Sequence, residues 1–271
     1  CIKEIRGERM SIVLKENDWA EKMIQSKSLG KKPSETLRRV ARYYIDNGYT
    51  KKKELRQKLD IFLLQCDPVA SLPKWDAALE YAATSALKYE AVDIDQIPIT
   101  TSELDIIESM NGVQIERLAF TLLCLAEYWY MVSPETDYWV NNKDNEIMAL
   151  ANINTSIKRQ CLLYGTLKES GLIRFSKRID NTNVRVCFVS EDQSDVALTV
   201  SDFRNLGYQY MKYKYRKHRH NPYFECENCG ITIKYTDPEK GRKQKFCKAC
   251  ATEIAVQQRV NYVMRRKNSD L

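Results

Sequence analysis

Residues 144–189, "DNEIMALANINTSIKRQCLLYGTLKESGLIRFSKRIDNTNVRVCFV", combine helical and alternating patterns. Residues 144–153 have the apolar spacing of a short helix, and the residues from 154 to Gly171 have the spacing of a longer one, which the glycine ends. Two alternating segments, "IRFSKRI" and "VRVCFV", then predict strands that "DNTN" joins in a tight turn. The sequence therefore predicts a short helix, a long helix and a β-hairpin in that order.

A strongly apolar segment precedes this stretch. "IERLAFTLLCLAEYWYMV", residues 115–132, has apolar residues nearly all round the helix, which is typical of a helix buried between layers. Helix, short helix, long helix and hairpin in this order resemble a winged helix-turn-helix unit, and "LKESGLI" ahead of the hairpin adds to the resemblance. The resemblance covers residues 117–189 and implies a DNA-binding domain within residues 111–203. A winged helix that contacts only other proteins is the alternative.

The long helix has two faces of different chemistry. Ile157, Cys161, Tyr164 and Lys168 share one face, and we expect that face to pack inward. The opposite face and the hairpin would contact DNA, because short polar groups and cations suit phosphates and base edges in a major groove. The candidate contacts there are Thr155, Ser156, Lys158, Arg159, Lys177, Arg178, Asn181 and Arg185, with Thr166 and Asn183 beside them.

Four of the nine cysteines form two close pairs, Cys226-x-x-Cys229 and Cys247-x-x-Cys250. Two residues between thiolates allow both sulfurs to point at one ion, and four thiolates make a closed tetrahedral site. This donor set favours a structural Zn²⁺ and leaves no open position for a catalytic water. An iron–sulfur cluster would use the same four ligands, whereas disulfides are disfavoured in a reducing compartment. The segment is too small to build a core, so we expect the metal to supply much of its folding energy.

The residues around the two pairs predict a small finger over residues 223–271. Gly230 permits a tight turn after the first pair, and "ITIKYTDPEKGRKQKF" is expected to form a hairpin about its Asp-Pro and Lys-Gly residues. The second pair leads into "CATEIAVQQRVNYVMRRK", which is a helical sequence. Knuckle, hairpin and a helix that starts at the second pair resemble a treble-clef finger, and a zinc ribbon is the close alternative.

Cations alternate with tyrosines in "YMKYKYRKHRHNPY", residues 210–223. Such a run can neutralise phosphates beside rings that stack or pack. We interpret residues 204–222 as a basic linker, and the helix after the finger ends in further cations. The candidate nucleic-acid contacts in this part are Lys212, Lys214, Arg216, Lys217, Arg219, Arg265 and Arg266.

Residues 10–110 predict an N-terminal helical region. Apolar residues at helical spacing start near Pro33, Thr50 and Trp75, and a further helix is expected from about Thr101. "VDIDQIPIT" alternates and contains a proline, so it predicts a short extended segment or an edge strand. The predicted fold class is thus mainly α (α+β). Residues 1–9 contain no initiator, and we interpret them as a non-native leader ahead of Met10.

Charge is unevenly distributed along the 271 residues, whose formal net charge is +7. Residues 1–59 carry 16 basic and 8 acidic side chains, residues 60–153 carry 4 and 16, and residues 204–271 carry 16 and 6. A polyanion such as nucleic acid would be attracted to the two ends and repelled by the middle. The alternative for the N-terminal cations is a solvated face. The acidic middle could bind a protein partner or a second copy of the chain.

The composition is that of an ordinary globular protein, with 44% hydrophobic and 29% charged residues. We find no uninterrupted apolar run long enough to cross a bilayer, so we expect no membrane partner and a bacterial host cytoplasm, where thiols stay reduced. The five cysteines outside the two pairs are interpreted as small buried hydrophobes. These are Cys1, Cys66, Cys124, Cys161 and Cys187.

No catalytic set stands out in the sequence. There is no phosphate-binding glycine loop, and both histidines lie in the basic run. We expect a binding protein rather than an enzyme, with a metal-dependent nuclease that uses carboxylates of the acidic middle as an alternative. The combination of modules resembles proteins of bacteriophages and mobile elements, which implies duplex-DNA binding in transcription regulation or replication initiation. A second alternative is an interaction protein that inhibits a host nucleic-acid machine.

Overall fold

The computed structural model describes residues 12–177, 183–190, 192, 194–236 and 244–269. The predicted leader and Met10 lie outside these residues, as do Arg178 and Asn181 of the predicted interface. The structure is mainly helical with small antiparallel sheets, which confirms the predicted class. The chain divides into two compact units between Asp95 and Gln96.

Unit 1 ends at Asp95 and is built from helices. In its described residues these are α1 (Glu16–Gln25), α2 (Pro33–Asp46), α3 (Lys52–Cys66) and α4 (Leu72–Ala86). α2 lies at the centre and packs on the other three. Its apolar side, with Leu37 and Val40 fully buried, meets Leu59 and Leu79 in one core. The sequence analysis did not predict α1, which buries only Glu16, Ala20 and Met23 and so has a weak apolar pattern.

A buried carboxylate ties α1 to α2. Glu16 is 4% exposed and accepts hydrogen bonds from Arg39 Nε at 3.1 Å and from Arg42 Nη2 at 2.7 Å. Arg56 of α3 also pairs with Asp60 and Asp76, which are 28% and 65% exposed. Arg39 and Arg42 of the N-terminal block therefore stabilise unit 1 itself, because an unpaired buried acid is costly.

Unit 2 begins at Gln96 and contains the elements predicted for residues 144–189. Its described helices are α5 (Thr101–Ser109), α6 (Val113–Val132), α7 (Asp144–Leu150), α8 (Ile157–Glu169), α9 (Leu206–Lys214) and α10 (Lys248–Ser269). Its described strands are β1 (Ile97–Thr100), β2 (Trp139–Val140), β3 (Ile173–Phe175), β4 (Val184–Val186), β5 (Val196–Val200), β6 (Tyr223–Glu225) and β7 (Thr232–Lys234). They form the antiparallel sheets β1–β5, β2–β4–β3 and β6–β7.

α6 is the central helix of unit 2. Its residues are buried almost continuously from Ile115 to Tyr128, and α5, α7, α8 and α9 pack around it. The prediction of a helix buried between layers is confirmed. Neither α6 nor any other helix among the described residues combines the length and apolarity needed to span a membrane.

Two domain boundaries differ from the prediction. β1 pairs with β5 and α5 packs on α6, so residues 96–110 belong to unit 2 and not to the N-terminal region. The predicted linker at 204–222 contains α9, which packs on α6 with Tyr210 fully buried. Both differences arise from contacts between residues far apart in sequence, which local patterns do not contain.

Candidate metal centre and nucleic-acid interface

The four cysteines predicted as ligands come together in space. Their Sγ atoms all lie within 4.8 Å of one another, and those of Cys229 and Cys247 are 3.8 Å apart. Cys226, Cys247 and Cys250 are buried, and Cys229 is partly buried. Tetrahedral metal–sulfur bonds of about 2.3 Å would place the sulfurs ~3.8 Å apart, so the cluster would need to contract by about 1 Å at most. The donor set and its geometry can therefore hold one metal ion.

The two pairs are positioned by different elements. β6 and β7 flank the first pair, where the N–H of Gly230 donates to Cys226 O at 2.9 Å and the N–H of Cys226 donates to Ile231 O at 3.0 Å. Gly230 has a φ of +73°, a conformation that favours glycine. The second pair lies at the start of α10, whose first residue follows Cys247. A turn and a helix terminus thus bring the two pairs of sulfurs together.

The finger contains a hairpin that the sequence analysis did not predict. β7 pairs with β6, so the first Cys pair itself lies in the hairpin loop, where the tight turn at Gly230 reverses the chain. The hairpin expected between the two pairs is a separate prediction. The Asp-Pro and Lys-Gly residues expected to form the turn, 237–241, lie outside the described residues.

Hydrogen-bond donors surround the sulfurs. The N–H of Cys247 donates to Cys226 Sγ at 3.2 Å, and the Asn228 amide donates to Cys250 Sγ at 3.3 Å. Burial opposes ionisation of Cys226, but backbone N–H donors outweigh it and lower the pKa of this thiol to about 6. Burial and the neighbouring thiols raise the pKa of Cys229. A bound cation would relieve the repulsion between ionised thiols, which is the chemistry of a metal site.

The finger is fastened to the helical part of unit 2 next to the cysteines. Arg204, just ahead of α9, donates from Nη2 to Cys229 O at 2.6 Å. Asn205 donates from its side-chain amide to Thr232 O at 2.9 Å. The first cysteine pair and β7 are thus both held by residues that precede α9.

The same residues reach the turn between α7 and α8. Asn152 in this turn donates to the side-chain oxygen of Asn205 at 2.8 Å. A Cβ atom at Gly207 would lie 2.0 Å from Ala151 O, so only glycine allows α9 to approach the turn this closely. Arg117 of α6 donates to the main-chain oxygens of Ala151, at 2.9 Å, and Asn152. The finger is therefore linked to the residues that lead into α8.

The predicted inward face of α8 is confirmed only at Tyr164. Ile157 is 77% exposed and Cys161 is also exposed, whereas Leu163, Tyr164 and Leu167 are buried. The three buried residues form a stripe with i, i+1, i+4 spacing that starts at Leu163. The helix is therefore rotated about its axis relative to the orientation predicted from Ile157. Packing against α6, rather than the apolar character of the first turn, sets this rotation.

The candidate contacts at the start of α8 lie at the surface. Ser156, Lys158 and Arg159 are exposed, and Thr155 is partly buried. Ser156 caps the helix by accepting from the Arg159 N–H at 3.4 Å. The Arg159 guanidinium lies 3.4 Å from Gln114 Oε1, which holds it beside the start of α6. Three of these side chains are thus available to a partner.

On the hairpin β3–β4 the candidates have different environments. Lys177 is exposed. Arg185 forms a two-pronged ion pair with Asp137, with Nη2 to Oδ1 at 2.8 Å and Nε to Oδ2 at 3.0 Å. This contact lowers the pKa of Asp137 and neutralises the arginine. Arg185 therefore joins β4 to Asp137 within the protein, and its predicted contact with nucleic acid stays a prediction.

Two lysines of the predicted basic linker are also engaged within the protein. Lys214 Nζ lies 2.5 Å from the carboxylate of Glu116, which is 1% exposed and also accepts from Tyr210 OH at 2.9 Å. Lys212 pairs with Glu225 of β6 at 2.6 Å. Both lysines thus join α9 to other parts of the protein, Lys214 to α6 and Lys212 to the finger, and their predicted contact with nucleic acid stays a prediction.

The cations after α9 remain at the surface. Arg216, Lys217 and Arg219 are exposed, and the Arg216 guanidinium lies 3.6 Å from the centre of the Tyr213 ring. Arg265 and Arg266 belong to α10, but their side chains lie outside the described ones. Among the predicted contacts with described side chains, the exposed ones are Ser156, Lys158, Arg159, Lys177, Arg216, Lys217 and Arg219.

Sequence reasoning missed the residues that connect these parts. Asn152 and Asn205 have φ of +54° and +55°, and their side chains form the link between the α7–α8 turn and the finger. Asparagine is one of the few residues that adopts this conformation readily, and an asparagine just after a helix is a known helix-end signal. That signal could have marked the end of α7, but not the contact with the finger.

Comparisons of this chain with family models, curated proteins and solved structures found no match.

Proposed function

We propose that this protein binds duplex DNA, with residues 113–186 as a winged helix-turn-helix unit and residues 223–269 as a zinc-stiffened finger. The observation that carries the proposal is the link through Asn205, which hydrogen-bonds both to Asn152 ahead of α8 and to Thr232 of the finger. Two surfaces that carry exposed cations are thereby held next to each other. One duplex could contact both at once.

The arrangement of elements supports the winged-helix part. β2 lies between α6 and α7 in sequence and pairs with β4, so the hairpin is extended to the sheet β2–β4–β3. This sheet packs through β2 and β4 on α6, and through β3 on α8. The hairpin is therefore supported beside α8, as a wing that contacts the DNA backbone would need to be.

The donor set supports zinc as the metal. Four thiolates with two-residue spacing in both pairs favour Zn²⁺ in a closed site, and an iron–sulfur cluster would use the same ligands. When bound, the metal would neutralise the thiolates and fix β6–β7 against the start of α10. Its role would be structural, because four protein ligands leave no position for substrate.

The charge of the exposed surface supports a polyanionic partner. Lys158 and Arg159 at the start of α8, Lys177 on the hairpin, and the cations after α9 are all exposed. Cations that are already paired, such as Lys214 with Glu116, contribute little to binding an external phosphate. As the resemblance to phage and mobile-element proteins implies, the proposed role is transcription regulation or replication initiation in a bacterial cytoplasm.

The salt dependence of binding tests the proposal. The affinity of the zinc-loaded protein for a fluorescent 30-base-pair duplex of random sequence is measured by anisotropy between about 50 and 200 mM salt. A protein that contacts several phosphates is expected to lose about tenfold or more in affinity over this range. The combined variant Lys158→Ala and Lys217→Ala should weaken binding and reduce the slope, whereas Lys74→Ala, an exposed cation of unit 1, is the matched control.

Two outcomes would contradict the proposed function. Absence of binding at 50 mM salt would favour an interaction protein. Strand breaks in plasmid incubated with the protein and Mg²⁺ or Mn²⁺ would favour the nuclease alternative, whereas intact plasmid that stays bound supports the binder.

A further inference from the structure

The outer surface of α8 is partly apolar where a solvated helix would be polar. Ile157 is 77% exposed, Leu162 is 54% exposed, and Cys161 lies between them. With Lys158 and Gly165 these residues share one side of the helix, away from the buried stripe of Leu163, Tyr164 and Leu167. We call these five residues, Ile157, Lys158, Cys161, Leu162 and Gly165, the outer face of α8.

Gly165 on this face is not required by the fold. It lies in the middle of α8, where glycine costs about 0.5–1 kcal/mol relative to alanine. A Cβ atom added at Gly165 would meet no atom within 4 Å, and its backbone is not in the left-handed region. Neither intramolecular packing nor backbone geometry therefore explains the glycine. A close approach of a partner to the helix backbone would explain it.

The charges around the outer face indicate what the partner is. Lys158 and, in the last turn, Lys168 lie on this side of the helix, Arg159 flanks it, and Arg174 and Lys177 are exposed on the hairpin that follows. Glu169, the one acidic residue of α8, also lies on this side, at the last residue of the helix. An apolar surface surrounded by cations suits a duplex, because base edges in the major groove include an apolar group and are flanked by phosphates.

We propose that the outer face of α8 lies against base edges in the major groove, with Ile157 and Leu162 in contact with the C5-methyl groups of thymine. The proposal rests on the proposed function and names the bases that α8 prefers. The thymine methyl is the only apolar group that a base pair presents in the major groove. Gly165 then allows the helix to approach the bases without a side chain in between.

A comparison of thymine with uracil tests the contact directly. A duplex is first selected from a random 30-base-pair pool with the zinc-loaded protein, and its thymines are then replaced one at a time by deoxyuridine. Each methyl group in contact with α8 should give about fourfold tighter binding, which corresponds to burial of one methyl. Ile157→Ala should bind the thymine duplex about as weakly as the uracil one, while Val196→Ala, a partly exposed apolar residue of β5, keeps the difference.

A second variant separates binding from folding. Gly165→Ala should leave the denaturant midpoint unchanged or raise it, because alanine favours the helix and the site has room. It should nevertheless weaken binding to the selected duplex about tenfold or more, because the added methyl overpacks the contact. A destabilised protein or unchanged binding would argue against a close approach at this position.

The outcomes distinguish this inference from the proposed function. If the wild-type protein binds duplex DNA but uracil substitution has no effect anywhere in the selected site, the thymine contact is overturned and DNA binding stands. If the protein binds no duplex at 50 mM salt, both are overturned. Equal loss for Ile157→Ala on thymine and uracil duplexes would also overturn the contact.

Discussion

Asn205 donates a side-chain hydrogen bond of 2.9 Å to the main-chain oxygen of Thr232. Its own side-chain oxygen accepts from Asn152 at 2.8 Å, so one amide joins the finger to the turn ahead of α8. The backbone of Asn205 has a φ of +55°. Asn205 thus acts together with Arg204 and Lys212 in holding the finger to the helical part of unit 2.

We expect Asn205→Gly to loosen the finger without releasing its metal. Glycine keeps the left-handed backbone but removes two hydrogen bonds, each of which stabilises by about 1 kcal/mol. Amide hydrogen exchange in residues 223–234 should become about tenfold faster, while metal content stays unchanged. Lys27→Gly is the control, because Lys27 has a similar φ of +48° in unit 1. Unchanged exchange in β6 and β7 would show that Asn205 does not anchor the finger.

Periodic patterns predicted the helices around the site well. The pattern of residues 115–189 predicted three helices and two strands in the right places, because apolar spacing and turn residues are local signals. These elements are α6, α7, α8, β3 and β4. The Cys ligands were predictable for the same reason, since two-residue spacing is itself a local geometric requirement. What failed within this region was the rotation of α8, where two adjacent apolar stripes compete and only packing on α6 decides between them.

Charged residues were predicted less well than apolar ones. Lys214 pairs with Glu116, which is 98 residues away in the chain, and Arg185 pairs with Asp137, which is 48 residues away. The sequence shows that both residues are basic, but it does not show these partners. The same holds for α9, whose tyrosines were expected either to stack or to pack: the sequence does not show that Tyr210 is buried against Phe120 at 5.2 Å. Ion pairs and aromatic contacts between distant residues carry no local pattern.

We expect substitution of one cysteine ligand to remove both the metal and the local structure of the proposed site. Cys247→Ser should lower the bound metal from about one ion per chain to none, because three thiolates bind zinc more weakly and the finger has little other core. Elemental analysis measures the metal, and thiol labelling measures exposure of the remaining ligands. Cys161→Ser, at an exposed cysteine of α8, should change neither. Metal-free wild-type protein in which the four cysteines of the site stay unlabelled would contradict the proposed site.

Because of Glu127, we expect unit 2 to be more stable at acidic pH than at neutral pH. Its carboxyl group is 5% exposed, and Oε1 has no hydrogen-bond partner among the described residues. Burial, and then repulsion from Glu103, raises the pKa of Glu127 to about 7. Because this value lies above that of the unfolded chain, the folded state binds more protons, and this residue's contribution to the unfolding free energy falls between about pH 4.5 and 7.

Glu127→Gln should remove this pH dependence. The variant is expected to be more stable than wild type by about 1–2 kcal/mol at pH 8, and by little at pH 5, since glutamine never ionises. Urea unfolding at both pH values measures the difference, and Asp105→Asn, at an exposed acid of α5, corrects for general charge effects. Equal gains at pH 5 and pH 8 would show that Glu127 is not the titrating group.

Substitutions of Lys214 and Lys217, which are three residues apart, should have opposite effects on stability and on DNA binding. Lys214→Met leaves the buried carboxylate of Glu116 without its cation, so the unfolding free energy should fall by about 1–3 kcal/mol. Lys217→Met removes an exposed charge and should leave stability unchanged, but should reduce the salt slope of DNA binding by about one. Denaturant unfolding and anisotropy on both variants test the pair. A reduced salt slope for Lys214→Met would return Lys214 to the DNA interface.

Arg159 is expected to determine sequence preference rather than overall affinity. Its exposed guanidinium lies next to the capped start of α8, where a planar two-pronged donor can contact a guanine edge, and Gln114 holds it there. Arg159→Ala should weaken binding to a selected duplex by about 5- to 100-fold, but binding to random duplex by only a few-fold, because one bidentate base contact gives about 1–3 kcal/mol of discrimination.

Arg159→Lys keeps the charge but loses the two-pronged donor, so it should resemble alanine on the selected duplex and wild type on the random one. Lys217→Ala provides the control, since loss of a phosphate contact should weaken both duplexes equally. If Arg159→Ala also weakens both equally, the arginine contacts phosphate, and the bases must be distinguished by other residues of α8.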